Sequence, residues 1–351
     1  MDPLLAGTGR RLTRTERNWL LSAAILVGSM LIFQALYAYE MDLGRWDAGI
    51  RLVAEPAEAA TRYVAIAHFL LAFLFIGLSP RMRKPRALAG IVALLAVGAL
   101  LSGGFSFLER TSPVLASYVF FAYFVLHDFR DQAFFYRVNG DCPAPEGERA
   151  TTRLILGIPF LAIGGLTAVL AFLASVRFLG HEPVGEGLAT LPVPVRVAIG
   201  LLPAVVVGIG FMLFRRLWRT QRPGALEAFV RRHRPVFAVF AGSILATLLG
   251  MFLSWRLHTI VILHVAAWYI FTVRRLAAAP ARSRGPGRWL TATPSGFTVL
   301  HSGLVVALVL LGVLWAYAFR NDPGVTPLQL LLSPRYFRYF TIVHVTVSFA
   351  R

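Results

Sequence analysis

Three histidines lie near the middle of three separate apolar segments of this sequence, and a fourth lies at a similar depth, somewhat nearer the end of another segment. His68 falls about midway between Pro56 and Pro80, and His264 is nearly equidistant from the arginines that bound its segment. Imidazole is the commonest protein ligand for transition metals, and it binds them in the neutral form that a bilayer also favours. The sequence therefore predicts that histidines from four helices meet at a similar depth and hold a transition metal, with iron the leading candidate. The predicted ligands are His68, His127, His264 and His344.

The same histidines allow a second cofactor, because two of them at matching depth are suitable axial ligands of a haem. A shared metal site makes a geometric demand. Ring nitrogens of at least three of the histidines must lie within about 5 Å of a common point, since metal–nitrogen bonds are about 2 Å long. The single cysteine, Cys142, excludes an internal disulfide and any cysteine-based zinc site.

A cluster of ionisable residues lies within the stretch Tyr123 to Tyr136, YFVLHDFRDQAFFY. On the helix that the preceding apolar run predicts, His127 lies about 21 Å and Asp131 about 27 Å along the axis, inside a hydrocarbon layer about 30 Å thick. His127 shares a helix face with Arg130 and Asp131. Ionisable groups at such depth are costly unless they are paired or line a cavity, so the cluster is a predicted functional site.

The sequence suggests a role for each member of this cluster. Asp128 and Asp131 would orient a histidine ligand or relay protons, and Arg130 would balance their charge. The alternative is that the helix ends at Leu126 and the polar residues form a solvated cap. Two other histidines, His181 and His233, lie in connections, where solvated side chains are expected, and aromatic residues such as Trp268 are predicted to pack or to line the membrane edge.

The composition indicates an all-α, polytopic integral membrane protein. Of the 351 residues, 57% are hydrophobic and only 15% are charged, and the mean hydropathy is +0.66. Only one of the 35 basic residues is a lysine, which, with many Ala, Gly and Leu, indicates a GC-rich bacterial genome. The net charge of +18 could indicate a nucleic-acid partner, but basic residues also determine the orientation of membrane proteins.

Ten apolar segments are predicted to span the membrane as one transmembrane domain over residues 1–351. Two of them are weak, because 257–273 is short and 334–350 begins with arginines. The predicted spans are 19–39, 57–78, 86–107, 113–134, 154–178, 195–217, 235–255, 257–273, 296–319 and 334–350.

The distribution of basic residues predicts the orientation of these spans. If the N-terminus is cytoplasmic, 25 of the 35 arginines and lysines fall on the cytoplasmic side and 10 on the other. This asymmetry follows the positive-inside rule of an inner membrane. The positive charge then faces anionic lipid, which excludes a nucleic-acid partner.

These features favour an inner-membrane oxidoreductase that acts on a lipophilic molecule such as a lipid, an isoprenoid or a quinone. Its expected partners are membrane lipid and that substrate, and the sequence carries no information on oligomeric state. One alternative is a proton-coupled transporter or channel with His127 and Asp131 as its relay. Others are a lipid-directed transferase with His127 as general base, and a scaffold without chemistry.

Overall fold

A computed structural model of the chain describes residues 11–43, 56–78, 84–111, 113–142, 225–252, 256–278, 288–318 and 334–348, and isolated positions at 193, 208, 212 and 215. Nearly all of these residues are helical and none of them lies in a strand, which confirms the all-α class. The helices are α1 (Arg14–Leu43), α2 (Pro56–Leu78), α3 (Pro85–Thr111), α4 (Pro113–Val138), α5 (Ala225–Arg232), α6 (Arg234–Phe252), α7 (Arg256–Ala278), α8 (Arg288–Ala292), α9 (Pro294–Ala318) and α10 (Pro334–Ser348).

Within the described ranges, four helical stretches are long and apolar enough to cross a bilayer. They are Thr61–Leu78 in α2, Pro85–Thr111 in α3, Thr259–Ala278 in α7 and Pro294–Gly312 in α9. This supports the prediction of a membrane protein. The predicted spans 154–178 and 195–217 lie outside the described residues, apart from three isolated positions. The count of ten spans and the cytoplasmic N-terminus stay predictions.

Local sequence signals explain where the helices begin and end. Proline is the first residue of α2, α3, α4, α9 and α10, where its missing N–H costs nothing and its fixed φ suits a helix. At the start of α1, Glu16 accepts a hydrogen bond from the backbone N–H of Thr13, and the Thr13 hydroxyl accepts one from the backbone N–H of Glu16. α4 is followed by Gly140, whose φ of 77° is the left-handed conformation that glycine adopts readily.

The structure settles two questions about helix length. α4 does not end at Leu126 but continues to Val138, and His127, Asp128 and Asp131 are buried, so the alternative of a solvated cap is wrong. α7 is longer than its predicted segment. Its 23 residues extend about 35 Å, which is enough to cross a bilayer.

Helix α10, with 15 described residues, is held by polar contacts near its start. Arg338 Nη1 lies 3.1 Å from Glu109 Oε1, and the Tyr339 hydroxyl donates to Glu109 Oε2 at 3.0 Å. These contacts join the beginning of α10 to the end of α3. Arg338, one of the arginines that made this predicted span weak, is therefore paired with a carboxylate and does not face lipid without a counter-charge.

Helix α7 is the centre of the described bundle, since it packs against α1, α2, α4, α6 and α9. α2 and α4 both contact α7, and both also contact α10. The four helices α2, α7, α4 and α10 thus enclose a common region. α3 and α9 lie at the outside with large apolar side chains exposed, among them Leu100 and Leu314, as expected of surfaces that face lipid.

Contacts at one end of the bundle fix the relative direction of three helices. Asp141, just after α4, accepts hydrogen bonds from the backbone N–H and hydroxyl of Thr15 at 2.7 and 2.6 Å. Arg274 near the end of α7 donates to the side chain of Asn18 in α1. The start of α1 and the ends of α4 and α7 therefore lie at the same end, in agreement with the predicted alternation of spans.

Gly98 allows α3 to pack closely against α10, which carries one of the four histidines. A Cβ at Gly98 would lie 3.1 Å from Val343 Cα, immediately before His344, and 3.4 Å from Thr346 Cβ. This approach is tight enough that a larger residue must displace α10 or distort α3. The position of His344 therefore depends on a small residue in a neighbouring helix.

We expect Gly98→Leu to destabilise the protein by about 1–3 kcal/mol, the usual cost of overpacking, and to weaken metal binding by moving His344. The matched control is Gly103→Leu, because no described atom lies within 4 Å of a Cβ built at Gly103. Thermal melting in detergent and metal content measure the two effects. Equal behaviour of the two variants would show that α3 does not position His344.

Candidate metal centre

The four predicted histidines are all buried in the region between α2, α4, α7 and α10. His68 of α2, His127 of α4, His264 of α7 and His344 of α10 are 1%, 0%, 0% and 4% exposed. Each comes from a different helix, and each helix is fixed by contacts with its neighbours in this group. The structure therefore brings together side chains that are as much as 276 positions apart in the sequence.

The imidazole rings follow one another in a closed arrangement. The ring of His68 has its centroid 5.2 Å from that of His264 and 5.0 Å from that of His344. On the other side, the His127 centroid is 4.6 Å from His264 and 5.4 Å from His344. Each ring thus contacts two others, in the order α2, α7, α4, α10.

Three of the histidines satisfy the distance condition for a shared metal. One ring nitrogen from each of His68, His264 and His344 lies within 4.8 Å of the others, and all three residues are buried. Two ligand atoms about 2.1 Å from one ion are about 3 to 4 Å apart, so small side-chain adjustments complete the geometry. The convergence predicted from the common depth of these residues is present, and metal binding stays a prediction.

A second group of possible ligands overlaps the first. Ligand atoms of His127, Asp131 and His264 also lie within 4.8 Å of one another. His127 Nε2 is 4.0 Å from Asp131 Oδ2, which is too long for a hydrogen bond but suits two ligands of one ion. Among the described residues, the four histidines do not form one group. Instead, two groups share His264.

His264 is oriented by a carboxylate. Its Nδ1 lies 3.3 Å from Asp128 Oδ1. Since a carboxylate can only accept, Nδ1 carries the hydrogen and donates a hydrogen bond to Asp128. Nε2 then presents a lone pair, and this buried atom has no hydrogen-bond partner in the described part of the chain. A carboxylate that fixes a histidine in this tautomer is common behind metal ligands. Asp128 thus stands where the sequence predicted an orienting residue.

His127 is oriented by a residue that the sequence did not single out. Its Nδ1 lies 3.0 Å from Ser348 Oγ, whose own hydrogen is donated to the backbone carbonyl of Val345 at 2.6 Å. Since that hydroxyl hydrogen is already used, Nδ1–H of His127 must be the donor to Ser348. The lone pair of His127 is therefore on Nε2, the atom nearest Asp131. Ser348 is four residues after His344, and this helical spacing was the available signal.

Aromatic side chains enclose the histidines. The Trp268 ring centroid lies 4.3 Å from that of His68, Phe69 stacks on His344 at 4.4 Å, and Phe124 lies 5.4 Å from His264. Trp268 is 4% exposed and belongs to this wall, so it is a packing residue and does not line the membrane edge. The wall lowers the local dielectric and strengthens electrostatic interactions among the histidines and carboxylates that it encloses.

The remaining predicted residues lie on or near α4. Arg130, predicted to balance the charge of Asp128 and Asp131, lies between them in the sequence and is partly buried in the structure. The prediction that His233 is solvated is wrong. His233 is 2% exposed at the junction of α5 and α6, and its Nδ1 is 3.0 Å from the Tyr136 hydroxyl. His181 lies outside the described residues.

Comparisons of the chain with protein families, with curated proteins and with solved structures find no match in any of the three. The functional argument therefore depends on the geometry of the chain itself.

Proposed function

We propose that this protein is an integral membrane oxidoreductase in which His68, His264 and His344 hold a transition metal beside His127 and Asp131. The observation that carries the proposal is the position of His264, which offers a ring nitrogen within 4.8 Å of nitrogens of His68 and His344. Its Nδ1 contacts Asp128, and its Nε2 is buried without a hydrogen-bond partner among the described residues. A buried acceptor without a partner costs about 1–3 kcal/mol, and a metal ion would satisfy it.

Charge supports a divalent ion at this place. Asp128 and Asp131 are 1% and 4% exposed, and buried carboxylates are unfavourable without compensating positive charge. A divalent cation on the histidines balances both.

The donor set favours iron among the transition metals. It consists of imidazole nitrogens with one carboxylate within reach, and it contains no thiolate. His127, His264 and Asp131 offer the two histidines and one carboxylate that non-haem Fe(II) oxygenases use, whereas His68, His264 and His344 without a carboxylate also suit zinc or copper. Iron bound there would supply one-electron chemistry and an open coordination position, which is why an oxidoreductase is the proposed class.

Ring spacing favours a metal ion over haem. Neighbouring imidazoles have centroids 4.6 to 5.4 Å apart and touch one another. A haem between one opposite pair of rings needs a clear plane for its macrocycle, and the other two rings occupy the sides of that plane.

The surroundings favour a lipophilic substrate that enters from the bilayer. Aromatic and aliphatic side chains enclose the metal ligands, and the outer helices α3 and α9 are apolar on their exposed faces. We place the protein in a bacterial inner membrane with ten spans and a cytoplasmic N-terminus, as the basic residues predict. Lipids, isoprenoids and quinones are the substrate classes that such a site can meet.

Metal analysis of protein purified in detergent tests this function. We expect about one transition-metal ion per chain, with iron first, and no Soret band in the visible spectrum. A Soret band would replace the ion with haem. Protein that folds and carries neither a stoichiometric metal nor haem would refute the proposal.

A proton-coupled transporter is the second candidate. One observation favours it: His127 Nε2 and Asp131 Oδ2 are buried only 4.0 Å apart, as two groups of a relay would be. Metal-free protein that conducts protons in vesicles would support this candidate over the oxidoreductase.

A further inference from the structure

Gln132 is a buried polar residue that the metal centre does not use. It lies on α4 directly after Asp131 and is 3% exposed. Its amide nitrogen Nε2 is buried and donates no hydrogen bond to any described residue. A buried amide donor without an acceptor is unfavourable, so an acceptor from outside the described chain would stabilise it.

The position of Gln132 on α4 places it beside the candidate centre. It is four residues after Asp128, so the two side chains are neighbours on one face of the helix. Asp128 contacts His264 on α7, and α4 packs against α7. Gln132 is five residues after His127, which is about 7.5 Å along the helix axis. Along the axis of α4, a molecule held by Gln132 would therefore lie within one and a half turns of His127.

Aromatic residues of the same two helices lie next to this position. Phe135, three residues after Gln132, stacks on Phe271 of α7 with centroids 4.3 Å apart and an interplanar angle of 24°. Trp268 lies one turn before Phe271 and contacts His68. Phe135 is thus an aromatic neighbour of Gln132 on α4, and its ring contacts a second aromatic ring on α7.

We propose that Gln132 binds the carbonyl oxygen of a lipophilic ligand and that this ligand is a quinone. An amide N–H requires an acceptor, which an unsubstituted hydrocarbon or isoprenoid chain does not have. A quinone combines a carbonyl oxygen with a flat ring that suits the aromatic surfaces, and its tail partitions into lipid. This inference rests on the proposed function, because it names the substrate class of that oxidoreductase.

An acyl ester is the other lipophilic source of a carbonyl oxygen. Ester carbonyls are borne on flexible chains and gain little from stacked aromatic rings, whereas a quinone ring gains from them directly. Binding measurements can separate the two ligands.

The test measures binding of a short-chain ubiquinone to the metal-loaded, full-length protein in detergent. Quenching of tryptophan fluorescence reports binding, and the dimethyl ether of the corresponding hydroquinone is the matched ligand without carbonyl oxygens. We expect Gln132→Leu to weaken quinone binding about tenfold, or about 1.4 kcal/mol, and to leave the weaker binding of the ether unchanged. A fatty-acid methyl ester is the third ligand.

Gln132→Leu should fold, because it replaces a buried donor without a partner by an apolar side chain of similar size. Gln132→Met provides a second variant, which removes the donor and retains the length of the unbranched side chain. Wild-type binding of quinone and ether with equal affinity, or equal quinone binding by wild type and both variants, would overturn the inference. Binding of the ester but not the quinone through Gln132 would overturn the assignment to quinones.

Metal content measured in the same samples separates this inference from the proposed function. Wild-type protein that contains metal but binds no quinone contradicts only the substrate class. Protein without metal contradicts the oxidoreductase itself, whatever it binds at Gln132.

Discussion

If the proposed metal site is present, replacing His264 with glutamine should reduce the affinity for that metal by more than about 100-fold, a larger loss than substitutions outside the proposed ligand set cause. His264 is the one residue that belongs to both groups of possible ligands. Its removal leaves two ligands in each group and leaves Asp128 without the imidazole that it orients. Metal per chain after dialysis against a weak chelator measures the effect.

The matched control for this substitution is His301→Gln. His301 lies in α9 beside the stacked rings of Tyr269 and Phe297, and its Nε2 is also buried without a hydrogen-bond partner in the described residues. It belongs to neither ligand group. We expect its metal content to equal that of the wild type. Loss of metal in both variants, or retention in both, would show that His264 is not a specific ligand.

The loss of metal should also appear in stability. A ligand present at about 100 times its dissociation constant stabilises the folded state by about 2.7 kcal/mol. A chelator should therefore lower the melting temperature of the wild type and of His301→Gln, while it should leave that of His264→Gln nearly unchanged. A chelator effect of equal size in all three proteins would indicate weaker sites elsewhere.

The convergence of the four histidines was predictable because the residues that bound each apolar segment give every histidine a similar predicted depth. His264 is centred between two arginines in the sequence, and it lies inside α7, which runs from Arg256 to Ala278. The same reasoning cannot tell which face of a helix meets which neighbour. The division of the histidines into two groups that share His264 depends on the order α2, α7, α4, α10, and that order comes from packing.

Residues whose role depends on a neighbouring helix were missed or misjudged. Ser348 orients His127 across 221 positions, and no local pattern connects the two. His233 lies among arginines, a polar context that predicts a solvated side chain. It is instead buried, and it shares a hydrogen bond with the Tyr136 hydroxyl of α4. Gln132 drew no attention, because a lone amide in a charged stretch is ordinary until its burial is known.

Replacing Asp128 with asparagine should weaken metal binding by about 10- to 100-fold, the usual effect of removing a partner that orients a metal ligand. Asparagine has nearly the same shape, and its amide oxygen can still accept the His264 proton, but it lacks the charge that makes the imidazole a stronger donor to metal. It also removes one of the two carboxylates that balance a divalent ion. Competition with a coloured chelator measures the affinity.

Asp141→Asn is the control that separates this electrostatic role from general loss of stability. Asp141 is a carboxylate just after the same helix, α4, but it accepts hydrogen bonds from Thr15 at the end of the bundle. Weakening this contact should cost about 1 kcal/mol of stability and leave metal affinity unchanged. If Asp128→Asn instead binds metal as tightly as the wild type, the contact between Asp128 and His264 is structural, and the lone pair of His264 is not being held for a metal. If both variants lose metal equally, the site is sensitive to the fold as a whole, and the orienting role assigned to Asp128 is wrong.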